Sequence, residues 1–293
     1  MTIAVTGASG QLGHLVLNAL AGRTSAGNIV ALARTPSKVA AEGIEAREFD
    51  YTKIETLASG LAGVETLILI SSSEIGQRIV QHRNVITAAK SAGVRAVLYT
   101  SVLHADTSVL SLADEHRVTE ADLRLSGLSF TILRNGWYTE NYTGSVEAAL
   151  KGGAFIGSAG DGRISSAARA DYAEALAVVA TGVNHTGKTY ELAGDGVWTL
   201  SDLAAEVSRQ TGRDIPYRDL SDADYARVLV GAGLPDGLAH AIAGWDIAAS
   251  QGALFDAGRQ LSTLIGRPTT SLSESVAAAL RAVSVQTGSR IPL

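Results

Sequence analysis

Gly7-Ala8-Ser9-Gly10-Gln11-Leu12-Gly13 decides how this chain is read. The run follows the apolar, β-branched stretch Ile3-Ala4-Val5-Thr6. It precedes a helical pattern in which Leu12, Leu15, Val16, Ala19 and Leu20 share one face. In such a turn the first glycine permits the tight bend, and the second lets main-chain N–H groups approach a diphosphate. The third lets helix and strand pack closely. The unpaired N–H groups and partial positive charge of the helix start add attraction for an anion. The loop therefore predicts a dinucleotide site on Gly7, Ala8, Ser9, Gly10, Gln11 and Leu12, with an ordinary strand-to-helix turn as the alternative.

The same alternation continues outward. Ile29 to Leu32, Thr66 to Ile70, Ala96 to Thr100 and Phe130 to Leu133 read as buried strands, and Glu45 to Phe49 as a weaker third one. Gln77 to Ala92 reads as a helix closed by Gly93. This order predicts an α/β chain with a Rossmann-type doubly wound parallel sheet over residues 1–135. After Asn135 the pattern changes: Gly152, Gly153, Gly157, Gly160 and Gly162 mark a loop-rich stretch. A helix from Asp171 and a strand around Lys188 to Leu192 follow, then helical segments at Leu200 to Thr211, Ser221 to Val230 and Ser273 to Val283. These predict a smaller, mainly helical C-terminal lobe over 136–293 on the substrate side, with parts of 154–192 returning to the sheet.

Apolar residues make up 46% of the 293 and charged residues 18%, so a sizeable core is expected and global disorder is not. A net charge of -5 gives no general attraction for nucleic acid or anionic membrane, which favours small-molecule chemistry. The absence of cysteine excludes disulfides and thiolate catalysis. No leader-like segment opens the chain and no apolar run approaches the ~18 residues of a membrane span, so a cytoplasmic protein without membrane insertion is expected. His, Asp and Glu show no metal-ligand spacing, and no metal is expected.

Arg34 ends the second strand, where a carboxylate would bind a ribose 2′-hydroxyl. A guanidinium there suits a 2′-phosphate instead, with Lys38 one turn on, so NADPH is expected over NADH. Asp50 ends the third strand and is read either as an acceptor for the adenine amino group, with Phe49 beside the ring, or as a turn residue before Thr52. Ser71, Ser72, Ser73 and Glu74 follow the fourth strand at the carboxyl edge of the sheet. They either line the ribose and nicotinamide or cap the next helix. Gln77, Arg78, His82 and Arg83 on that helix are read as structural.

Glycine spacing and strand order resemble the short-chain dehydrogenase/reductase superfamily, which reduces carbonyls with a Ser, a Tyr and a Lys. The last two form Tyr-x-x-x-Lys on the helix after strand five. Here Ser101 follows that strand, but Leu112-Ala113-Asp114-Glu115-His116 places His116 at the lysine position and Leu112 at the tyrosine position. The usual donor to a developing alkoxide is missing, which counts against ordinary alcohol dehydrogenation.

Leu128-Ser129-Phe130-Thr131-Ile132-Leu133-Arg134-Asn135-Gly136 is similar to a strand of the atypical, NmrA-like branch. Blocks spread along the chain resemble the bacterial type 2 NAD(P)H:quinone oxidoreductases. They include Ile70-Ser71-Ser72-Ser73-Glu74, Gln81-His82-Arg83-Asn84-Val85-Ile86, Leu103-His104-Ala105-Asp106-Thr107-Ser108, Leu133-Arg134-Asn135-Gly136-Trp137-Tyr138 and Gly266-Arg267-Pro268-Thr269-Thr270. The resemblance implies hydride transfer from NADPH to a quinone without flavin. A quinone is a strong electrophile whose reduced oxygens form a stabilised phenolate, so this chemistry tolerates the missing tyrosine.

On the substrate side, Tyr138 and Tyr142 are candidates to cover the nicotinamide or quinone ring, and Asn141 to bond a carbonyl. An aromatic anchor between lobes is the alternative. The resemblance supports cofactor contact by Tyr138 and Asn141. Arg169 and Asp171 are read either as a structural pair or as a segment returning to the cleft. Tyr138, His104 and His116 are weak candidates for catalysis, the histidines because they titrate near neutrality. The expected partners are a quinone and, as an open arrangement, a second copy in a homodimer. The competing function is a non-catalytic NADP(H)-sensing, NmrA-like regulator. An isoflavone-reductase-like enzyme fits less well, because His116 stands where that group keeps a lysine.

Overall fold

The computed structural model describes residues 1–39 and 43–287. Strand β1 (Ile3–Val5) leads into helix α1 (Gln11–Ala21), followed by β2 (Ile29–Ala33), β3 (Glu45–Glu48), α2 (Ile54–Gly60), β4 (Thr66–Leu69), α3 (Arg78–Ser91), β5 (Ala96–Val102), α4 (Ala113–Leu125) and β6 (Ser129–Asn135). Then come α5 (Glu140–Thr143), α6 (Val146–Gly152), β7 (Phe155–Gly157), α7 (Arg169–Thr181), β8 (Thr189–Leu192), α8 (Leu200–Thr211), β9 (Tyr217–Asp219), α9 (Asp222–Gly231), α10 (Asp236–Ser250), α11 (Gln260–Ile265) and α12 (Leu272–Thr287).

Seven strands form one sheet in the order β3-β2-β1-β4-β5-β6-β8, and every neighbouring pair is parallel. Alternation along the strands separates two apolar layers. Ile3, Val5, Ile29, Ala31, Ile68, Leu98 and Leu133 face one layer with α1, α7 and α11, where Val16, Leu17, Leu20, Leu176 and Leu261 are sealed. Ala4, Val30, Leu32, Leu67, Leu69, Val97 and Tyr99 face the other with α2, α3 and α4, through Leu57, Val85 and Leu123. Each fully buried aliphatic side chain of this kind contributes roughly 1.5–3 kcal/mol. Leu15 and Ala19 of the expected α1 face are only partly buried, and Leu17 takes a core position instead.

The order reverses at β1, whose neighbours are β2 and β4, and the loops after these strands flank a crevice at their carboxyl ends. A third apolar cluster lies beyond β6, built from Tyr142, Val146, Phe155, Trp198, Leu203, Val276 and Leu280. The glycine-rich stretch read as loop contains β7, which pairs with β9 in a separate two-stranded sheet. β8 and α7 belong to the large sheet and its covering layer, although they follow β7 in the chain. Among the described residues no helix is long and apolar enough to cross a membrane.

Candidate functional site

The β1–α1 loop meets the physical demands of a diphosphate cradle. Gly7 has φ +60, in the region that disfavours a side chain. A Cβ on Gly13 would overlap the Gly7 carbonyl oxygen, so helix and loop can approach this closely only without one. No side chain caps α1. Gly10 N–H donates to Gly7 O at 2.8 Å and Ala8 N–H to Leu32 O at 3.1 Å. The N–H groups of Ser9, Gln11 and Leu12 meet no acceptor among the described residues. Those are the donors that an anion at a helix start satisfies.

The loop forms one wall of a cleft of about 680 Å3. Gly7, Ser9, Gly10, Gln11, Leu12, Arg34, Phe49, Asp50, Ser71, Ser72, Ser73, Glu74 and Tyr138 all line it, whereas Ala8 is buried beneath. Arg34 Nη1 donates to Glu74 Oε1 at 3.1 Å, with both side chains exposed at the rim. Asp50 Oδ1 accepts from Thr52 N–H at 3.0 Å and from the Thr52 hydroxyl at 2.8 Å, the turn geometry named as its alternative reading. Phe49 is 2% exposed and makes an edge contact with Tyr51, so its ring serves the core more than an adenine face.

The loop after β4 is held from behind. Ser72 N–H donates to His82 Nε2 at 3.0 Å, and Arg78 Nε donates to Ser72 O at 2.9 Å. With Nε2 accepting, the His82 proton lies on Nδ1, 3.0 Å from Thr119 Oγ1. Burial, followed by the Arg78 charge, pushes the His82 pKa down to about 3 and keeps the ring neutral. Arg78 and Gln81 also line the cleft. Gln81 Nε2 donates to Glu74 Oε2 at 2.6 Å, while Gln81 Oε1 is buried without a partner. An unpaired buried acceptor inside a cleft suits a ligand donor. The glycine cradle, the open helix start and this acceptor together fit a nicotinamide dinucleotide.

The two histidines considered for catalysis are placed elsewhere. His116 is 5% exposed, its Nδ1 lies 2.6 Å from the Tyr99 hydroxyl, and burial drives its pKa well below the usual histidine value. It faces the packed layer between β5 and α4, because a neutral ring and a tyrosine hydroxyl satisfy one another there. Ser101 is likewise turned inward, donating to Glu120 Oε1 at 2.6 Å. His104 has φ +52; its N–H donates to Glu191 Oε2 at 2.8 Å and its Nε2 lies 3.1 Å from Asp256 Oδ2. Those carboxylates hold it in a network around Arg134, which also binds Glu120 and Asp106.

Tyr138 lines this cleft, while its sequence neighbours Trp137, Asn141 and Tyr142 line a second cavity. Its ring meets Tyr172 edge-on at 5.4 Å, and the Arg169 guanidinium carbon sits 4.6 Å over it. Thr139 N–H to Ala167 O at 3.0 Å ties the segment in place. Arg169 lines the cleft and donates to Asn141 Oδ1 at 2.7 Å. Asn141 and Tyr142 line the second cavity, of about 250 Å3, and neither lines the cleft. Asn141 thus reaches the cofactor side only through Arg169. The paired reading of Arg169 with Asp171 is corrected: Arg169 N–H donates to Glu140, while the fully buried Asp171 accepts from Arg267 at 2.7 Å and Thr270 N–H at 2.8 Å. Trp137 and Trp245, edge-to-face at 5.6 Å, form an aromatic wall of the small cavity with Tyr225 and Phe155.

The profile of a family described as NAD(P)H-binding matches residues 7–181, more than half of the chain. The chain belongs to this NAD(P)H-binding family. It is 57% identical over 277 residues to quinone oxidoreductase 2 of Escherichia coli, covering 94% of this chain and 97% of that protein. The solved structure of the NADPH-dependent quinone oxidoreductase from Escherichia coli in complex with NADPH superimposes with a TM-score of 0.91, covering 94% of this chain and 99% of that one. The triphenylmethane reductase of Citrobacter sp. complexed with NADP(H) is 37% identical, with a TM-score of 0.91 over 95% of this chain and 100% of that one. The match to these NAD(P)H-binding relatives includes the C-terminal elements that complete the small cavity.

Sequence reasoning passed over Tyr51, Ile70, Gln81 and Thr100 as cleft residues of this NAD(P)H-binding protein and read Arg78 as structural, while Arg169 lines the cleft as one of its two readings had it. One signal was available. Arg78 and Gln81 lie three residues apart at the start of α3, on one face aimed at the strand ends. Asp246, on α10, lines the small cavity and gave no signal.

Proposed function

We propose that this chain is an NADPH-dependent quinone reductase that moves a hydride directly to a quinone, without a resident flavin or metal. The observation that carries this reading is the 2.7 Å hydrogen bond from Arg169, which lines the cleft, to Asn141, which lines the small cavity. It sets an aromatic cavity of single-ring or two-ring size against a dinucleotide cleft. The identity to the Escherichia coli quinone oxidoreductase, which extends over both cavities, supports it.

In this reading the N–H groups of Ser9, Gln11 and Leu12 would hold the diphosphate, and Gly7, Ala8 and Gly10 shape their cradle. Arg34 would take the 2′-phosphate. Phe49, Asp50 and Ser71 to Glu74 would bound the adenosine and ribose side. When bound, NADPH supplies the hydride from its nicotinamide ring. Tyr138 would cover the junction, Asn141 would bond a quinone carbonyl, and Tyr142 with the tryptophans would stack the ring and exclude water. His116 and His104 have no part in the step, being committed to Tyr99 and to the Glu191–Asp256 pair. A soluble, cytoplasmic enzyme with no nucleic-acid partner is the matching cellular reading.

Loss of NADPH absorbance on adding benzoquinone or a naphthoquinone to purified, flavin-free protein tests the assignment. Saturable NADPH binding with no turnover across the panel would instead mark a cofactor-sensing regulator.

A further inference from the structure

The small cavity contains one ionisable side chain that the proposed reaction has not yet used. Asp246 sits on α10 after Trp245 and is 5% exposed. Its neighbours in the cavity are Trp137, Trp245, Tyr142, Tyr225, Phe155 and Asn141. Oδ2 is anchored, accepting Ser158 N–H at 2.9 Å. Oδ1 bonds no group among the described residues, and no cation pairs with the carboxyl. The tight fit against β7 fixes its position: a Cβ on Gly157 would come within 2.9 Å of Oδ2. A carboxyl kept only for structure ordinarily has its second oxygen satisfied. Here the free oxygen belongs to a residue lining the cavity that would hold the substrate.

We propose that Asp246 is the acid that protonates the quinone as it is reduced. This rests on the quinone-reductase reading above. Conversion of a quinone to a hydroquinone takes a hydride, which brings the electron pair, and one proton. The Asp246 O–H bond breaks as an O–H bond forms on the quinone oxygen left negative. The carboxylate that remains regains its proton from solvent. A carboxylic acid gives its proton readily to a phenolate, since phenols of the tyrosine type titrate near ~10.

The surroundings keep that acid available close to neutrality. The groups facing Asp246 are the Ser158 amide beside β7, the Tyr142 hydroxyl of α5, Tyr217 and Asp219 of β9, and Tyr225 of α9. Burial pushes its pKa up to about 6; the Ser158 N–H opposes the shift and the Asp219 charge reinforces it. None of these neighbours carries a positive charge.

Asp246→Asn tests the proposal, because the amide oxygen can still accept from Ser158 N–H while the titrating proton is gone. The two measurements are kcat/KM for a naphthoquinone from pH 5 to 9 at saturating NADPH, and quinone affinity by quenching of tryptophan fluorescence. In the wild type, kcat/KM should fall above about pH 6, about tenfold per pH unit, to a floor set by protons from water. In the variant it should lie about 100-fold lower at pH 5 and show no such limb, with quenching affinity within about threefold of wild type. A variant that keeps the wild-type limb, or that loses quenching in parallel with rate, overturns the proposal; the second result would mark a packing or recognition role. If the wild type oxidises no NADPH with any quinone, the underlying functional reading fails as well. Ordinary turnover with an unmoved limb sinks only the acid.

Discussion

The Arg34 guanidinium donates to Glu74 Oε1 at 3.1 Å, joining the segments that follow β2 and β4 across the mouth of the cleft. Both partners are exposed, 71% and 45%, so the pair itself contributes little, ~1 kcal/mol at most. A 2′-phosphate offers Arg34 a charge-assisted contact of roughly 1.5–3 kcal/mol and would displace the carboxylate. Arg34→Ala should weaken NADPH binding by about tenfold while changing NADH by less than about threefold. Glu74→Gln should tighten NADPH a few-fold. Calorimetric titration with both dinucleotides checks the pair of outcomes, and equal loss for both cofactors in Arg34→Ala removes the phosphate role.

Gly13→Ala should abolish dinucleotide binding and lower the unfolding midpoint, because the new methyl overlaps the Gly7 carbonyl, a main-chain atom that cannot swing aside. Overpacking of this kind costs ~1–3 kcal/mol or more. Gly27→Ala is the control: nothing lies within 4 Å of its Cβ position, and its midpoint should stay at the wild-type value. Thermal melts with and without NADPH separate loss of the site from loss of the fold.

Asp246 should also be visible in stability. Its folded pKa of about 6 lies above the ~3.9 of an unfolded aspartate, so the folded state holds the proton more tightly. Stability from this group is therefore complete below about pH 4 and is lost as pH rises through 6. Asp246→Asn should unfold at higher urea than wild type at pH 8, by on the order of 2–3 kcal/mol, with no gain at pH 4. Equal stability at pH 8 would mean that the carboxyl is better compensated than its contacts indicate.

His82 and His116 act in the opposite sense. Burial lowers both pKa values, that of His82 to about 3, so the unfolded chain takes up protons that the folded one refuses. The stability they contribute is present above the unfolded value of ~6.5 and drains as pH falls toward 3, by on the order of 5 kcal/mol for His82. Urea midpoints should decline below pH 6.5. His82→Gln should flatten that decline and weaken NADPH binding, since Ser72 N–H loses its ring acceptor.

The parallel sheet was legible because its strands carry local evidence: β1, β2, β4 and β5 are buried on both faces and read as continuous apolar runs. The site around the glycine loop was legible for the same reason, being made of neighbours in sequence. What stayed hidden was set by distant pairing. β7 is three residues in a glycine-rich stretch, and its partner β9 lies some sixty residues on, so neither segment announces a strand alone. Asp246 in an alanine-rich helix resembles a solvated charge until β7 closes over it. Cofactor contact by Asn141 was expected from the resemblance, but the turn into α5 carries it to the other side of Arg169, where it lines the small cavity with Tyr142. His116 was matched to a lysine by spacing, and only the packing against Tyr99 reveals its neutral, inward role.

The seventh strand of the large sheet, β8, is threaded in after the chain has already built α5, α6 and β7. The nucleotide half is consequently not modular. A fragment ending at residue 135 would leave β6 as a bare edge, with a row of main-chain groups open to strand addition, and would strip α7 from its packing against α1. Calorimetry should therefore register a single cooperative melting event for the whole molecule, and a nick between the halves should release aggregating pieces instead of a working cofactor binder.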